Sequence, residues 1–196
     1  MASKTAIANR ALSKLGEARV SNIDTDNNKP AKVIRFMYDI VRDAMLTAYP
    51  WNFAIKRVQI AADADTPAWG YNKQYTLPTD FLALLEIRGN PEYRLEGGFI
   101  LTNEGAPIYI KYIARIENSG LFDPLFVEAF ATRMAFEGCE EITQSNTKKE
   151  ALLRDYDMIV KQAYASNAIQ SQPQELEPDT WLLARESNSD DIDYNL

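Results

Sequence analysis

The sequence predicts an α+β fold, a four-helix bundle (two N-terminal and two C-terminal helices) with an inserted antiparallel β lobe and an extended C-terminal tail. Three observations carry this. Apolar residues recur at helical spacing within residues 1–50 and 121–170, whereas 51–120 holds short runs rich in β-branched and aromatic residues. Proline or glycine marks the changes of period, at Pro50, Gly97–Gly98 and Pro124. Beyond about Ser171 the chain turns to Pro, Gln, Glu, Ser and Asp, the composition of an extended segment. Strands set apart from two helical hairpins favour a β insertion over alternating βα units.

A first helix is expected over Lys4 to Leu15, where Ile7, Ala8, Ala11, Leu12 and Leu15 share a face and Gly16 is a natural stop. Asn28 and Pro30 open a second helix by the cap-plus-proline pattern. It runs to Ala48, with Val33, Ile34, Met37, Ile40, Val41, Ala44, Met45 and Ala48 on its apolar face. Pro50 ends it by forcing Tyr49 out of the α region. "FAIKRVQI" then reads as a strand whose alternation changes phase, which predicts a bulge near Lys56–Arg57. After the loop "AADADTPAWGYNK", strands follow at "QYTLP", "FLALLEIR" and "PIYIKYIA", with a hairpin at "YRLEGGFILTN" turning on Gly97–Gly98. Asp123–Pro124 opens a third helix, carrying Phe126, Val127, Phe130, Ala131, Met134 and Ile142. Thr147 and Glu150 fit a capping box for a fourth, with Leu152, Leu153, Tyr156, Ile159, Val160 and Ala163 as its core positions.

Composition narrows the chemistry. With no His and a single Cys, Cys139, in 196 residues, the chain holds no Ser-His-Asp or Cys-His triad, no His-ligated metal and no internal disulfide. Nothing resembles a secretory signal or a membrane-spanning run, so a soluble chain made in a reducing cytoplasm is expected. The net charge is −7, of which residues 171–196 contribute −6, from seven carboxylates against Arg185 alone. The body is thus nearly neutral, with no basic block to neutralise phosphates.

Each candidate site has a structural reading beside a functional one. Tyr49, Pro50, Trp51 and Phe53 form either an aromatic binding patch or a plug at the junction of bundle and sheet, and the plug is expected because buried aromatics dominate packing. Trp69, Tyr71 and Tyr75 either stack on a sugar or base, or pack. Glycoside hydrolysis needs a carboxylate pair, and no spacing among Asp63, Asp65, Glu86, Glu96 and Glu104 singles one out. Gly97–Gly98 lacks the strand–loop–helix setting of a phosphate loop. Cys139 reads as a small buried hydrophobe, and Glu137, Glu140 and Glu141 as a solvated face rather than a cation site. Trp181, Leu182 and Leu183 interrupt an acidic stretch that has no need of them, so this cluster is expected to order on a partner, the alternative being that it folds back on its own domain.

The stretch from Ala8 to Phe53, a helix, "LG", a polar loop, a long helix and "W.F", resembles the tail tubular protein A family, the head–tail adaptors (gatekeepers) of short-tailed bacteriophages. The "Y.LP.DF" element from Tyr75 to Phe81 belongs to the same likeness, which covers roughly residues 5–165. The resemblance implies a dodecameric ring in the virion tail, at the head–tail interface. The portal protein lies above it, the nozzle protein (tail tubular protein B) below it, and tail fibres are a further contact. It implies that DNA passes through during genome ejection, and that there is no catalysis, cofactor or membrane. The rival expectation is a virion-associated carbohydrate-binding or glycoside-hydrolysing protein.

Because each chain carries −7, a ring of them repels DNA rather than gripping it. No duplex binding is expected near physiological salt. Sub-micromolar affinity with a steep salt slope, measured by fluorescence anisotropy, would contradict this.

Overall fold

The computed structural model describes residues 2–170; residues 171–196, with Trp181, Leu182 and Leu183, lie outside the described part. Helices α1 (Lys4–Leu15), α2 (Lys29–Ala48), α3 (Pro124–Thr143) and α4 (Asn146–Ile169) surround six strands in chain order. The class is therefore α+β, with helices and strands segregated.

The helix ends follow local chemistry. Ser3 accepts from the Ala6 N–H at 3.1 Å, Asn28 from Ala31 at 2.8 Å and Asp123 from Leu125 at 2.8 Å, each satisfying an amide left over in a first turn. Gly16, at φ 78°, closes α1 in the left-handed conformation that a side chain would strain. The start of α4 differs from expectation. Gln144 turns left-handed directly after α3, and Ser145 accepts from the Lys148 N–H at 3.3 Å. Helix α4 begins at Asn146, so Thr147 lies inside the first turn and the capping box with Glu150 does not form.

Helix α3 packs against α1, α2 and α4. Its contact with α2 is close at Gly138, where an added Cβ would lie 3.5 Å from Met37 Cε and Val33 Cγ1. Facing α3 selects which side of α2 is buried. Ile34, Tyr38, Val41 and Met45 are inside, while Ile40 is 62% exposed and Ala44 and Ala48 also face out, contrary to the apolar pattern. Leu153 on α4 is likewise exposed. Periodicity gives the width of an apolar face, but the neighbour decides how much of it is covered.

The strands are β1 (Ile55–Ile60), β2 (Lys73–Thr76), β3 (Phe81–Ile87), β4 (Tyr93–Glu96), β5 (Phe99–Thr102) and β6 (Ile108–Ala114). They form two antiparallel three-stranded sheets, ordered β1-β6-β3 and β2-β5-β4. Gly97 (φ 58°) and Gly98 (φ 90°) make the two-residue hairpin turn. The bulge expected at Lys56–Arg57 is absent, because β1 pairs with β6 without a break from Ile55↔Ile113 to Ile60↔Ile108. The change of phase has another cause: Phe53 belongs to a single 3-10 turn, Asn52–Ala54, so its parity says nothing about the strand. The irregularities lie in β3 instead, where register shifts fall at Phe81/Ala83 and Leu84/Glu86. Buried residues of the helices and of both sheets, including Phe130, Ile110 and Ile100, belong to one hydrophobic cluster. No helix among the described residues is long and apolar enough to cross a membrane.

Asp80, in the turn before β3, ties the first sheet together. Its carboxylate accepts from Lys56 Nζ on β1 at 2.6 Å and from the Tyr112 hydroxyl on β6 at 3.0 Å, while its carbonyl accepts from the Arg115 N–H at 2.6 Å. Burial acts to raise its pKa, but the hydrogen bonds from Lys56 and Tyr112 and the Lys56 charge outweigh that, and the pKa lies below the ordinary 3.8. Burial, reinforced by Asp80, pushes the Tyr112 phenol up to about 12. A carboxylate lowered by folding stabilises the fold above its unfolded pKa and loses that contribution as the pH falls through the folded value. Asp80→Asn is therefore expected to lower the melting temperature at pH 7 and to narrow its gap from wild type below pH 3.8. Thermal melts across pH 2–7 check this, and a constant gap would contradict it.

Candidate functional site

The most densely built feature outside regular structure is the junction between α2 and β1. Helix α2 cannot continue into Pro50, so Tyr49 is extended (φ −152°, ψ 142°) and the Trp51 N–H reaches back to the Tyr49 carbonyl at 2.9 Å. The Trp51 indole folds under the helix end. Its Nε1–H donates to the Met45 carbonyl at 2.9 Å, and Met45 is one of the last four residues of α2, whose carbonyls have no partner inside the helix.

Trp51 is 1% exposed and sits in an aromatic nest. Ring centres of Phe126, Tyr49, Tyr164 and Phe53 lie 4.9, 5.1, 5.4 and 6.1 Å away. Tyr49 stacks on Tyr164 at 4.2 Å and its hydroxyl donates to the Tyr164 carbonyl at 3.3 Å. Burial raises the Tyr164 phenol, keeping it neutral. Phe53 packs against Phe122 and Phe126. Asn167, near the end of α4, completes the seat. It accepts from the Asn52 N–H at 2.9 Å, donates to the Pro50 carbonyl at 3.3 Å, and its own carbonyl accepts from Asn52 Nδ2 at 2.8 Å.

The plug is thus sited differently from the expectation of a seam between bundle and sheet. Each ring that Trp51 meets belongs to α3, to α4 or to the junction itself, and none to a strand. The sheet is attached separately, where Arg115 after β6 meets Asp43 of α2 at 2.8 Å, and Asp43 also pairs with buried Arg42. Tyr164 and Asn167 are the participants that sequence reasoning missed. Nothing in the local pattern of α4 distinguishes them, since their partners lie 115 residues away.

The chemical candidates are not brought together. Trp69 is 87% exposed and Tyr71 half-buried, while Tyr75 is fully buried with its hydroxyl donating to the Glu104 carbonyl at 3.0 Å. The three share no platform. Asp63 accepts from the Thr76 hydroxyl at 2.9 Å and Glu86 faces Lys111 at 3.9 Å; Asp65 shares the β1–β2 loop with Asp63, Glu96 ends β4 and Glu104 follows β5. Glu137 pairs with Arg133, and Glu140 with Lys149 at 2.6 Å, so these acids face cations; the Glu141 carbonyl accepts from Lys29. Cys139 is buried, its Sγ 3.3 Å from the Thr143 hydroxyl. Among the described residues no group of three His, Cys, Asp or Glu side chains is placed to hold a metal ion.

No protein-family model matches the sequence, and no curated protein matches it.

Replacing Trp51 with Ala removes the aromatic at the centre of the nest and the bond to the Met45 carbonyl. The expected cost is about 3–5 kcal/mol, read as a lower midpoint in denaturant unfolding. An unchanged midpoint would mean that the nest carries little of the stability.

Proposed function

We propose that this chain is a structural head-to-tail adaptor of a short-tailed phage virion and not an enzyme. In this reading the four helices are a bundle carrying the strands as an inserted lobe, and the chain assembles as a dodecameric ring between portal and nozzle that conducts DNA during ejection. The observation that carries it is the use made of the residues in the likeness to tail tubular protein A. Gly16 closes α1, Trp51 and Phe53 fill the nest, Tyr75 is core and Asp80 cross-ties a sheet. Those motif positions hold elements at fixed angles, as a subunit bridging two different rings requires. A carbohydrate-active protein would need an acid pair beside an exposed aromatic platform, and Tyr75, one of the aromatics considered for it, is buried in the core.

Electron microscopy of the purified chain mixed with the portal protein of its own virus tests this. Twelve-fold density capping the portal is expected. A chain that leaves the portal bare yet cleaves or binds host polysaccharide would overturn it.

A further inference from the structure

One face of the first sheet is open and carries a distinctive chemistry. Register sets Arg57 opposite Lys111 and Gln59 opposite Tyr109, so these four side chains share a face. Glu86 stands opposite Lys111 on β3, and the Arg88 N–H, just beyond β3, donates to the Tyr109 carbonyl at 2.9 Å. Together with Arg88 these side chains line an open groove of about 530 Å³. The Arg88 guanidinium lies 5.5 Å from the centre of the Tyr109 ring, itself 44% exposed. Lys111 has Glu86 at 3.9 Å, but no salt bridge among the described residues engages Arg57 or Arg88. Three cations against one carboxylate, beside the exposed ring of Tyr109, suit an acidic segment bearing an aromatic side chain.

The same chain contains such a segment. Residues 171–196 hold seven carboxylates and one arginine around Trp181, Leu182 and Leu183. We propose that residues 175–186 of one copy dock on this sheet face of a neighbouring copy, Trp181 lying against Tyr109, and the flanking acids facing Arg57 and Arg88. This rests on the ring reading above. Two different, mutually complementary patches on one chain make a heterologous contact, the kind that closes into rings. Helix α4 ends at Ile169, and Asn167 holds that end against Asn52, close to the start of β1 at Ile55. The ten residues 171–180 precede Trp181, and at about 3.3 Å each they span roughly 33 Å when extended. Buried aromatics supply affinity at such contacts, and rim charges supply encounter rate and register.

The test uses full-length chains and a dye-labelled peptide of residues 171–196, with no portal present, so that it stands or falls apart from portal attachment. The peptide is expected to bind saturably, to wild type at monomeric dilution and to Trp181→Ala alike. Arg57→Glu with Arg88→Glu in the chain, or Trp181→Ala in the peptide, should weaken it about tenfold or more. Circular dichroism melts confirm that the surface variants stay folded. No binding at about 1 mM, or binding indifferent to the charge reversal, overturns the proposal. If Trp181→Ala takes the peptide and dilute wild type refuses it, the segment occupies its own chain's face and exchange between copies fails, because a tethered segment competes at about millimolar effective concentration. Capture of duplex DNA through the same two arginines would instead assign the face to phosphate, and would equally overturn it.

Discussion

The fold depends on how α2 is stopped. A helix of 20 residues ends against a proline, and the carbonyls of its last turn must find partners outside it. Trp51 supplies one, and in doing so brings the largest side chain of the junction beneath the helix end. Everything downstream follows from that position. The indole meets Phe126 on α3 and Tyr164 on α4, so the helix end and the two C-terminal helices share one packed seat. Asn167 then makes its three hydrogen bonds to this segment, satisfying backbone groups that a chain reversal buries.

Polar ties reinforce this geometry where apolar contact is thin. Arg42 is nearly buried on α2, yet Asp39 and Asp43 each approach it at 2.8 Å, and Asp43 reaches on to Arg115 beyond β6. A charged chain of this kind fixes orientation more than it adds stability, because desolvation offsets much of the attraction. Asp80 acts similarly within the first sheet, fixing the turn before β3 against β1 and β6 despite the two register shifts in β3. Glu128 on α3 takes both Arg10 and Lys14 of α1, and the hydrogen bond from Arg10, helped by Lys14, holds its carboxyl below the usual carboxylate range.

Much of this was legible in the chain because it is local. Caps at Asn28 and Asp123 concern neighbours two to three residues away, and Gly97–Gly98 dictates its own turn. Where the reading failed, the deciding contact was remote. Ile40 and Leu153 fit an apolar face, but no element among the described residues covers them. Phe53 misled the assignment of strand phase because a 3-10 turn borrowed two residues from an apparent strand. Thr147 lost the cap to Ser145 because Gln144 turned the chain at once. For the candidate site, Trp51 and Phe53 announced themselves by size and by the proline beside them. Tyr164 and Asn167 did not, since a tyrosine and an asparagine near a helix end have many equivalent fates until the partner is known.

The contrast between the junction and the open sheet face bears on what kind of protein this is. At the junction nearly every polar group is spent inside the chain: the indole N–H, both Asn167 side-chain atoms and the Tyr49 hydroxyl all have intramolecular partners. On the sheet face no salt bridge among the described residues engages Arg57 or Arg88, and Tyr109 remains exposed. Unspent cations beside exposed apolar surface gain most from a partner, because pairing there satisfies charge and removes apolar area from water together.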